Sequence, residues 1–127
     1  MTRGGVLVVD DHAGCREFVC DSLRISWPNA EISTAASADA ALEVVAAVRP
    51  VLVLLDIRLP RGSGLDVLKR ITRLDPPIAV VMMTASVSLE TVAWALGLGA
   101  VDYLIKPFAR QDLDAVVRRA LARRGGP

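Results

Sequence analysis

Five polar side chains follow short apolar runs of the sequence. In an open parallel sheet, ligands bind beyond the carboxyl ends of the strands, which is where such residues would lie. The five side chains are Asp10, Asp11, Asp56, Thr84 and Lys106. Three carboxylates placed close together repel one another, so at least one would take up a proton unless a cation neutralised them. A site of carboxylate oxygens suits Mg²⁺ or Mn²⁺. With such a metal in place, a carboxylate can attack a phosphoryl donor and form an acyl phosphate.

Asp56 is the candidate nucleophile of this group. A phosphoryl group in transfer carries negative charge on its oxygens, so Lys106 and the metal would supply the countercharge. Thr84 would donate a hydrogen bond to a phosphoryl oxygen. Each residue alone has an ordinary explanation, such as a turn, a solvated loop or a β-branched strand residue. Their joint placement at strand ends favours a phosphoryl-transfer site. His12, which follows the acidic pair, is interpreted as a helix-start residue without a chemical role.

The apolar runs that precede these residues are the predicted strands. They are Val6–Val9, Ala30–Ala36, Val51–Leu55, Ile78–Met83 and Val101–Ile105. Three of them are apolar at nearly every position, which is typical of parallel strands covered on both faces. In this interpretation Asp56 ends its strand because burial stops there.

Amphipathic segments alternate with the strands and predict five helices. The first helix lies near 13–26, with Phe18, Val19, Ser22 and Leu23 on one face, and the second lies near 38–48. The third helix is marked by Leu65, Leu68 and Ile71, and the fourth has an inward stripe of Leu89, Val92, Ala93 and Leu96. The fifth helix is marked by Leu113, Val116, Val117, Ala120 and Leu121. Five strand–helix pairs joined by right-handed crossovers give a doubly wound α/β fold.

Length and composition indicate one domain. The chain has 127 residues, enough for one core over about 5–122 with a tail at 123–127. A net charge of +1 gives no overall field toward nucleic acid or a membrane surface, and no window reaches the about 18 apolar residues of a membrane span. Cys15 and Cys20 match neither a redox pair nor a zinc motif. We therefore expect a cytoplasmic domain that contacts neither nucleic acid nor membrane directly.

Four stretches of the sequence resemble a known family. The stretches VLVVDDH, LVLLDIRLPRGSGLDVL, VVMMTAS and GAVDYLIKPF resemble the receiver domain of two-component response regulators, over about Val6 to Leu121. This chemotaxis-regulator-like family implies a five-stranded parallel sheet, (βα)5, with strand order 2-1-3-4-5. Within the family, DIRLPRGSGLDVL and VDYLIKPF look most like receivers of DNA-binding regulators that respond to citrate or other dicarboxylates.

The resemblance implies a role for each acidic residue. Asp56 would be the phosphoacceptor, taking its phosphoryl group from the phosphohistidine of a sensor histidine kinase. Asp11, Asp56 and the backbone carbonyl of Arg58 would hold Mg²⁺ directly, with Asp10 acting through water. Lys106 would pair with the acidic cluster at rest and with the phosphoryl group afterwards.

The resemblance also implies how the signal is timed and transmitted. The peptide bond before Pro107 would be cis. Arg58 and Ser86 occupy positions that tune the lifetime of the acyl phosphate. Thr84 and Tyr103 occupy the positions of a switch pair, in which Thr84 moves toward the phosphoryl group and Tyr103 turns inward into the vacated space.

The fourth helix carries a predicted partner surface. Placing its residues at 100° intervals puts Trp94 and, one turn later, Leu98 on the outward side. An exposed apolar patch is typical of interfaces, and receivers often dimerise through helix 4, strand 5 and helix 5. We expect Trp94, Leu98 and Tyr103 to contact a second copy or a DNA-binding effector domain outside this chain. Alternatively, the helix is rotated or ends at Gly97, and Trp94 packs internally.

Three other functions fit the sequence less well. Phosphatases of the haloacid dehalogenase type place a second Asp two residues after the first, where this chain has Arg58. Pseudo-receivers usually lack one of the acidic pair, the acceptor or the Lys, all of which are present. Nucleotide-binding motifs of the GxxxxGK[ST] and GxGxxG types are absent after the first strand. A single-domain regulator and a receiver from a longer protein both remain open.

Overall fold

The computed structural model describes residues 5–74, 77–85 and 88–125, and a parallel sheet forms its centre. The five strands are β1 (Val6–Val9), β2 (Ile32–Ala35), β3 (Leu52–Asp56), β4 (Ala79–Thr84) and β5 (Asp102–Ile105). They lie in the order β2-β1-β3-β4-β5, which confirms the predicted topology. A two-stranded antiparallel hairpin, Arg58–Leu59 with Gly62–Ser63, follows β3.

Five helices cover both faces of the sheet. They are α1 (Ala13–Ser26), α2 (Ala38–Val48), α3 (Gly64–Ile71), α4 (Leu89–Gly97) and α5 (Arg110–Gly125). Helices α1 and α5 pack on one face, and α2, α3 and α4 on the other. Alternate strand residues enter the two cores, which explains why the central strands are apolar at nearly every position. Within the described residues, no helix combines the length and the apolar composition that crossing a membrane requires.

Side chains at the sheet edge fix where the helices begin. The Nδ1 atom of His12 accepts a hydrogen bond from the backbone N–H of Cys15 at 3.1 Å, so His12 is a helix-start residue as predicted. Ser37, Ser63 and Ser88 cap α2, α3 and α4 in the same way. Such caps satisfy backbone donors that the first helical turn leaves unpaired. Each of these four helices therefore starts directly after a side chain that caps it.

Helix α4 packs through a different face from the predicted one. The predicted inward residues Leu89 and Leu96 are 82% and 41% exposed, whereas Ala95 is buried. Leu98 was predicted to point outward with Trp94, but it is partly buried against the core. The sequence LETVAWALG is apolar around most of its circumference, so the small Ala95, which allows close approach to the sheet, selects the packed face. Trp94 is 59% exposed, as predicted.

Three arginines of the basic C-terminal helix α5 contact neighbouring parts of the domain. The guanidinium carbon of Arg118 lies 5.1 Å from the ring centre of Trp27. Arg119 forms an ion pair with Asp102 at 3.1 Å, and Arg123 donates a hydrogen bond to the backbone carbonyl of Val101 at 2.7 Å. Helix α5 continues to Gly125, beyond the predicted end of the core. These contacts fasten α5 to α1 and β5.

Candidate functional site

The three predicted carboxylates meet at the carboxyl edge of neighbouring strands. Asp10 and Asp11 directly follow β1, and Asp56 is the last residue of β3, which pairs with β1. One oxygen from each carboxylate lies within 4.8 Å of the others. Asp11 is exposed and Asp10 is fully buried. Asp56 is only 7% exposed, so the prediction that burial stops there was wrong.

Lys106, the residue that directly follows β5, joins this cluster. Its Nζ atom donates to Oδ2 of Asp10 at 2.6 Å and to Oδ2 of Asp56 at 3.1 Å. Its backbone N–H donates to the carbonyl of Thr84 at 2.7 Å, which fixes it beside the end of β4. The peptide bond between Lys106 and Pro107 is cis. A buried carboxylate at the end of β3 is therefore compensated by an ammonium group from a distant part of the sequence.

Backbone and thiol groups complete the hydrogen bonds of the two buried carboxylates. Oδ1 of Asp10 accepts from the N–H of His12 at 2.9 Å, and the thiol of Cys15 also bonds to this carboxylate. Oδ1 of Asp56 accepts from the N–H of Arg58 at 3.1 Å. These bonds leave Oδ2 of both carboxylates facing Lys106. Cys15 was not predicted to belong to the site, and its position one helical turn after the acidic pair is the one signal that could have found it.

The environment shifts the pKa values of the cluster in different directions. Burial raises the pKa of Asp56 and outweighs the hydrogen bonds from Lys106 and Arg58 that oppose it. Burial also acts on Asp10, but hydrogen bonds from Cys15, Lys106 and a backbone N–H hold its pKa below the usual value. Burial lowers the pKa of Lys106, but its two carboxylate partners raise it to about 12. Lys106 is therefore charged at neutral pH.

The cluster keeps an excess of negative charge. Among the described residues, Lys106 is the only cation within 4.0 Å of these three carboxylates. The pKa of Cys15 is raised to about 11 by burial and by its hydrogen bond to Asp10, so this side chain stays a thiol and is a poor metal ligand. Three carboxylates beside one ammonium fit a divalent ion that prefers oxygen ligands. The three side chains therefore offer oxygen donors of the kind that a magnesium or manganese ion would need.

Thr84 and Tyr103 lie on the two strands beside the cluster. Thr84 is the last residue of β4 and is buried. Asp11, Asp56, Thr84 and Lys106 share a cavity of about 490 Å³ that Arg58 also lines. Tyr103 lies on neighbouring β5 and is 38% exposed. Ser86, to which we assigned a role in the lifetime of an acyl phosphate, lies outside the described residues.

Comparison with known proteins decides the family. The family model of the response regulator receiver domain matches residues 6–118, which include all three carboxylates, Thr84 and Lys106. The chain belongs to this family. It is a receiver domain, a phosphoacceptor module of two-component signal transduction, and the predicted resemblance is confirmed.

Individual relatives support the same conclusion. The chain is 41% identical over 123 residues to the DNA-binding response regulator MtrA of Mycobacterium tuberculosis, covering 95% of this chain and 52% of MtrA. It is 42% identical over 112 residues to a protein-glutamate methylesterase/protein-glutamine glutaminase of Geobacillus kaustophilus, covering 86% and 32%. The crystal structure of the receiver domain of NtrX from Brucella abortus matches with a TM-score of 0.82 and 38% identity, covering 91% of this chain and 97% of that one. This receiver domain thus spans about half or less of both curated relatives.

Gly64 allows the start of α3 to lie directly against the backbone of the phosphorylation site residue Asp56. The N–H of Gly64 donates to the carbonyl of Ile57 at 2.8 Å. A Cβ atom at Gly64 would lie 2.1 Å from the backbone carbonyl oxygen of Asp56, closer than any real contact. The RGSG entry to α3 therefore brings the start of this helix against the backbone of Asp56.

We expect Gly64→Ala to lower the free energy of unfolding by about 2–4 kcal/mol, because the backbone of Asp56 must shift to admit the methyl group. Urea denaturation measures this change. Gly62→Ala is the matched control, since its Cβ would meet only the Cβ of Ala38 at an ordinary 3.6 Å. Equal free energies of unfolding for Gly64→Ala and Gly62→Ala would contradict the close contact between Gly64 and the carbonyl oxygen of Asp56.

The sequence did not predict the apolar side of the site. Phe18 was expected to share a buried face with Val19 and Leu23, but it is 42% exposed. Its ring contacts that of Phe108, with ring centroids 6.1 Å apart and planes at 52°. Both rings line a cavity of about 600 Å³ that the three carboxylates also line. Phe108 follows Lys106 by two residues, but its contact with α1 spans 90 residues and leaves no local signal.

Proposed function

We propose that Asp56 is the phosphoacceptor of this receiver domain and takes a phosphoryl group from the phosphohistidine of a sensor histidine kinase. The contact of Lys106 with both Asp10 and Asp56 carries this proposal, because it holds a positive charge beside the carboxylate that would react. An oxygen of Asp56 bonds to phosphorus while the bond to the leaving nitrogen breaks. Lys106 then stabilises the negative phosphoryl oxygens, and Thr84 donates a hydrogen bond to one of them.

The residues present fit a magnesium or manganese ion. Asp11, Asp56 and the backbone carbonyl of Arg58 would hold it, with Asp10 acting through water as the family pattern implies. When bound, the ion supplies positive charge to the phosphoryl oxygens. Support comes from the oxygen donors and the uncompensated negative charge of the cluster.

We expect Asp11→Asn to have opposite effects on stability and on metal affinity. Without metal, loss of one repelling charge should raise the free energy of unfolding by up to about 1 kcal/mol. The affinity for Mg²⁺ should fall by about tenfold or more. Thermal unfolding in EDTA and calorimetric titration with Mg²⁺ measure the two effects, with the exposed Glu43→Gln of α2 as control. An Mg²⁺ affinity equal to that of wild type would show that Asp11 is not a ligand of the metal.

Incubation with acetyl phosphate tests the proposed function. The protein should gain the mass of one phosphoryl group in the presence of Mg²⁺ and none in EDTA. The modified protein should accumulate without sustained turnover of the donor. Rapid turnover of a small phosphate ester would instead favour a phosphatase.

The proposed switch is the pair Thr84 and Tyr103. Thr84 is buried beside the cavity, and Tyr103 lies on the adjacent strand with its side chain partly exposed. Attraction of the Thr84 hydroxyl to a phosphoryl group would free space for the ring of Tyr103. Arg58, which is exposed at the cavity, and Ser86 would set how long the acyl phosphate lasts.

The proposed output surface consists of Trp94 on α4 and Tyr103 and Ile105 on β5. All three side chains are at least 36% exposed, and exposed apolar side chains of this size favour a partner. Its occupant would be a second copy or an effector domain. We expect Trp94→Glu to prevent assembly of the phosphorylated protein during size-exclusion chromatography. Assembly equal to that of wild type would count against this surface.

The effector of the whole protein would act in transcription in the cytoplasm. The chain aligns over most of its length with the receiver half of MtrA, which is named a DNA-binding response regulator. The receiver itself would leave DNA contact to that effector, because Arg118, Arg119 and Arg123 are engaged within the domain. The same kind of receiver also occurs in a methylesterase, so a catalytic effector is the second candidate.

A further inference from the structure

A groove between α2 and α3 shares no lining residue with the phosphorylation site. Its volume is about 230 Å³, and five of its lining side chains are apolar, namely Leu42, Val45 and Ala46 of α2, Ile71 of α3 and Leu74 shortly after α3. Val45 and Ile71 are buried, whereas Leu42 and Leu74 are partly exposed. The groove therefore has a closed apolar floor, and an apolar chain placed along it would be removed from water.

Two arginines lie at one end of this groove. Arg49 directly follows α2, and Arg70 lies in the last turn of α3. Both helices return from the carboxyl edge of the parallel sheet to its amino edge, so their last residues lie at the same end. Among the described residues, neither guanidinium has a carboxylate within 4.0 Å, and no acidic residue lines the groove. The groove thus combines an apolar length with a positive end.

The backbone conformation of Arg49 is unfavourable for an arginine. Its φ of 52° and ψ of 65° lie in the left-handed region, where helices often end on glycine because glycine has no Cβ atom to clash. A cation near the end of a helix is stabilised by the helix dipole, but any residue of the last turn could carry that charge. A side chain held on an unfavourable backbone indicates a use for that side chain. Its place in the lining of the groove supplies one.

We propose that the groove between α2 and α3 binds a small organic acid, with the carboxylate at Arg49 and Arg70 and the apolar chain along the walls. A guanidinium group donates two parallel hydrogen bonds to the two oxygens of a carboxylate. The apolar chain is buried over the length from Leu42 to Arg49, which is about 10 Å for seven residues of helix. An amine is repelled by both arginines, and a second carboxylate on the chain is buried without a partner.

Titration with octanoate, followed through the amide resonances of the ¹⁵N-labelled protein, tests this proposal. The resonances of α2 and of the end of α3 should shift and saturate with a dissociation constant of about 1 mM or below, as expected for a ligand of about ten non-hydrogen atoms. Octan-1-ol has the chain without the charge, and acetate has the charge without the chain. Each should bind at least about tenfold more weakly than octanoate.

Arg49→Gly removes the side chain without straining the fold, because glycine accepts the left-handed backbone. Its affinity for octanoate should fall by about tenfold or more, since a hydrogen-bonded charge pair is lost. Arg70→Gln should have a similar effect. Arg61→Gly is the matched control: among the described residues, Arg61 is the other non-glycine residue with a positive φ, 56°, and it does not line the groove. Its affinity should equal that of wild type.

Several results would overturn the organic-acid site. Wild-type octanoate affinity in Arg49→Gly and Arg70→Gln, or octan-1-ol binding as tightly as octanoate, would show that the arginines serve only the helix ends. Shifts outside the two helices, no saturable shift, or an equal loss of affinity in Arg61→Gly would also contradict it. Asp56→Asn should bind octanoate as wild type does, because Asp56 does not line the groove. The site can therefore fail while the phosphoacceptor stands, and the reverse.

Discussion

Asp56→Asn should gain no phosphoryl mass under conditions that label the wild type completely. The amide has nearly the same shape as the carboxylate but is a poor nucleophile toward phosphorus, so the reaction loses its acceptor. The fold should persist, because the variant removes one of three mutually repelling carboxylates and keeps an oxygen that accepts from the N–H of Arg58. Mass spectrometry of the intact protein measures the effect. We expect no other single substitution to reduce phosphorylation more than this one.

Asp66→Asn is the matched control for this experiment. Asp66 lies in the first turn of α3, is exposed and takes no part in the acidic cluster. It should be labelled as fully as wild type. Labelling of Asp56→Asn at the wild-type level would show that another residue accepts the group.

Lys106→Met should slow labelling by acetyl phosphate by about 100-fold or more, the effect of losing one positioned electrostatic contact in the transition state. The methionine side chain keeps the length and packing of the lysine stem while removing its charge. Added Mg²⁺ should not restore the rate, because the ion and the ammonium group act on the phosphoryl group together. Stopped-flow or quenched mass measurements give the rate.

The same substitution should lower the stability of the metal-free protein. The folded-state pKa of Lys106 is raised from 10.5 to about 12, so its contribution is fully present below pH 10.5 and is lost as pH rises through about 12. At neutral pH we expect a loss of about 2 kcal/mol. Lys69→Met, which replaces the only other lysine of the chain at an exposed position of α3, is the control. A wild-type labelling rate in Lys106→Met would contradict the proposed role of the ammonium group.

The sequence predicted the fold well because its signals are local. Apolar runs mark strands that are buried on both faces, and Ser37 with its neighbours fixes the start of α2. The predicted bounds of α1 and α2 agree with the structure for this reason. The acidic cluster was predictable from position alone, since the carboxyl ends of parallel strands meet at one edge of a sheet.

Features that depend on distant residues were not predictable. The burial of Asp56 depends on Lys106, which lies 50 residues away in the chain. The packed face of α4 depends on the size of Ala95 against the sheet, because the helix is apolar on several sides. The contact between Phe18 and Phe108 joins two elements that only the finished fold brings together.

Chemical trapping of the phosphorylated protein tests the central claim most directly. Borohydride reduces the acyl phosphate of an aspartate to homoserine, and peptide sequencing by mass spectrometry then locates that residue. We predict homoserine at position 56 and at no other position. A phosphoryl group that resists borohydride, or homoserine at position 10 or 11, would contradict the account.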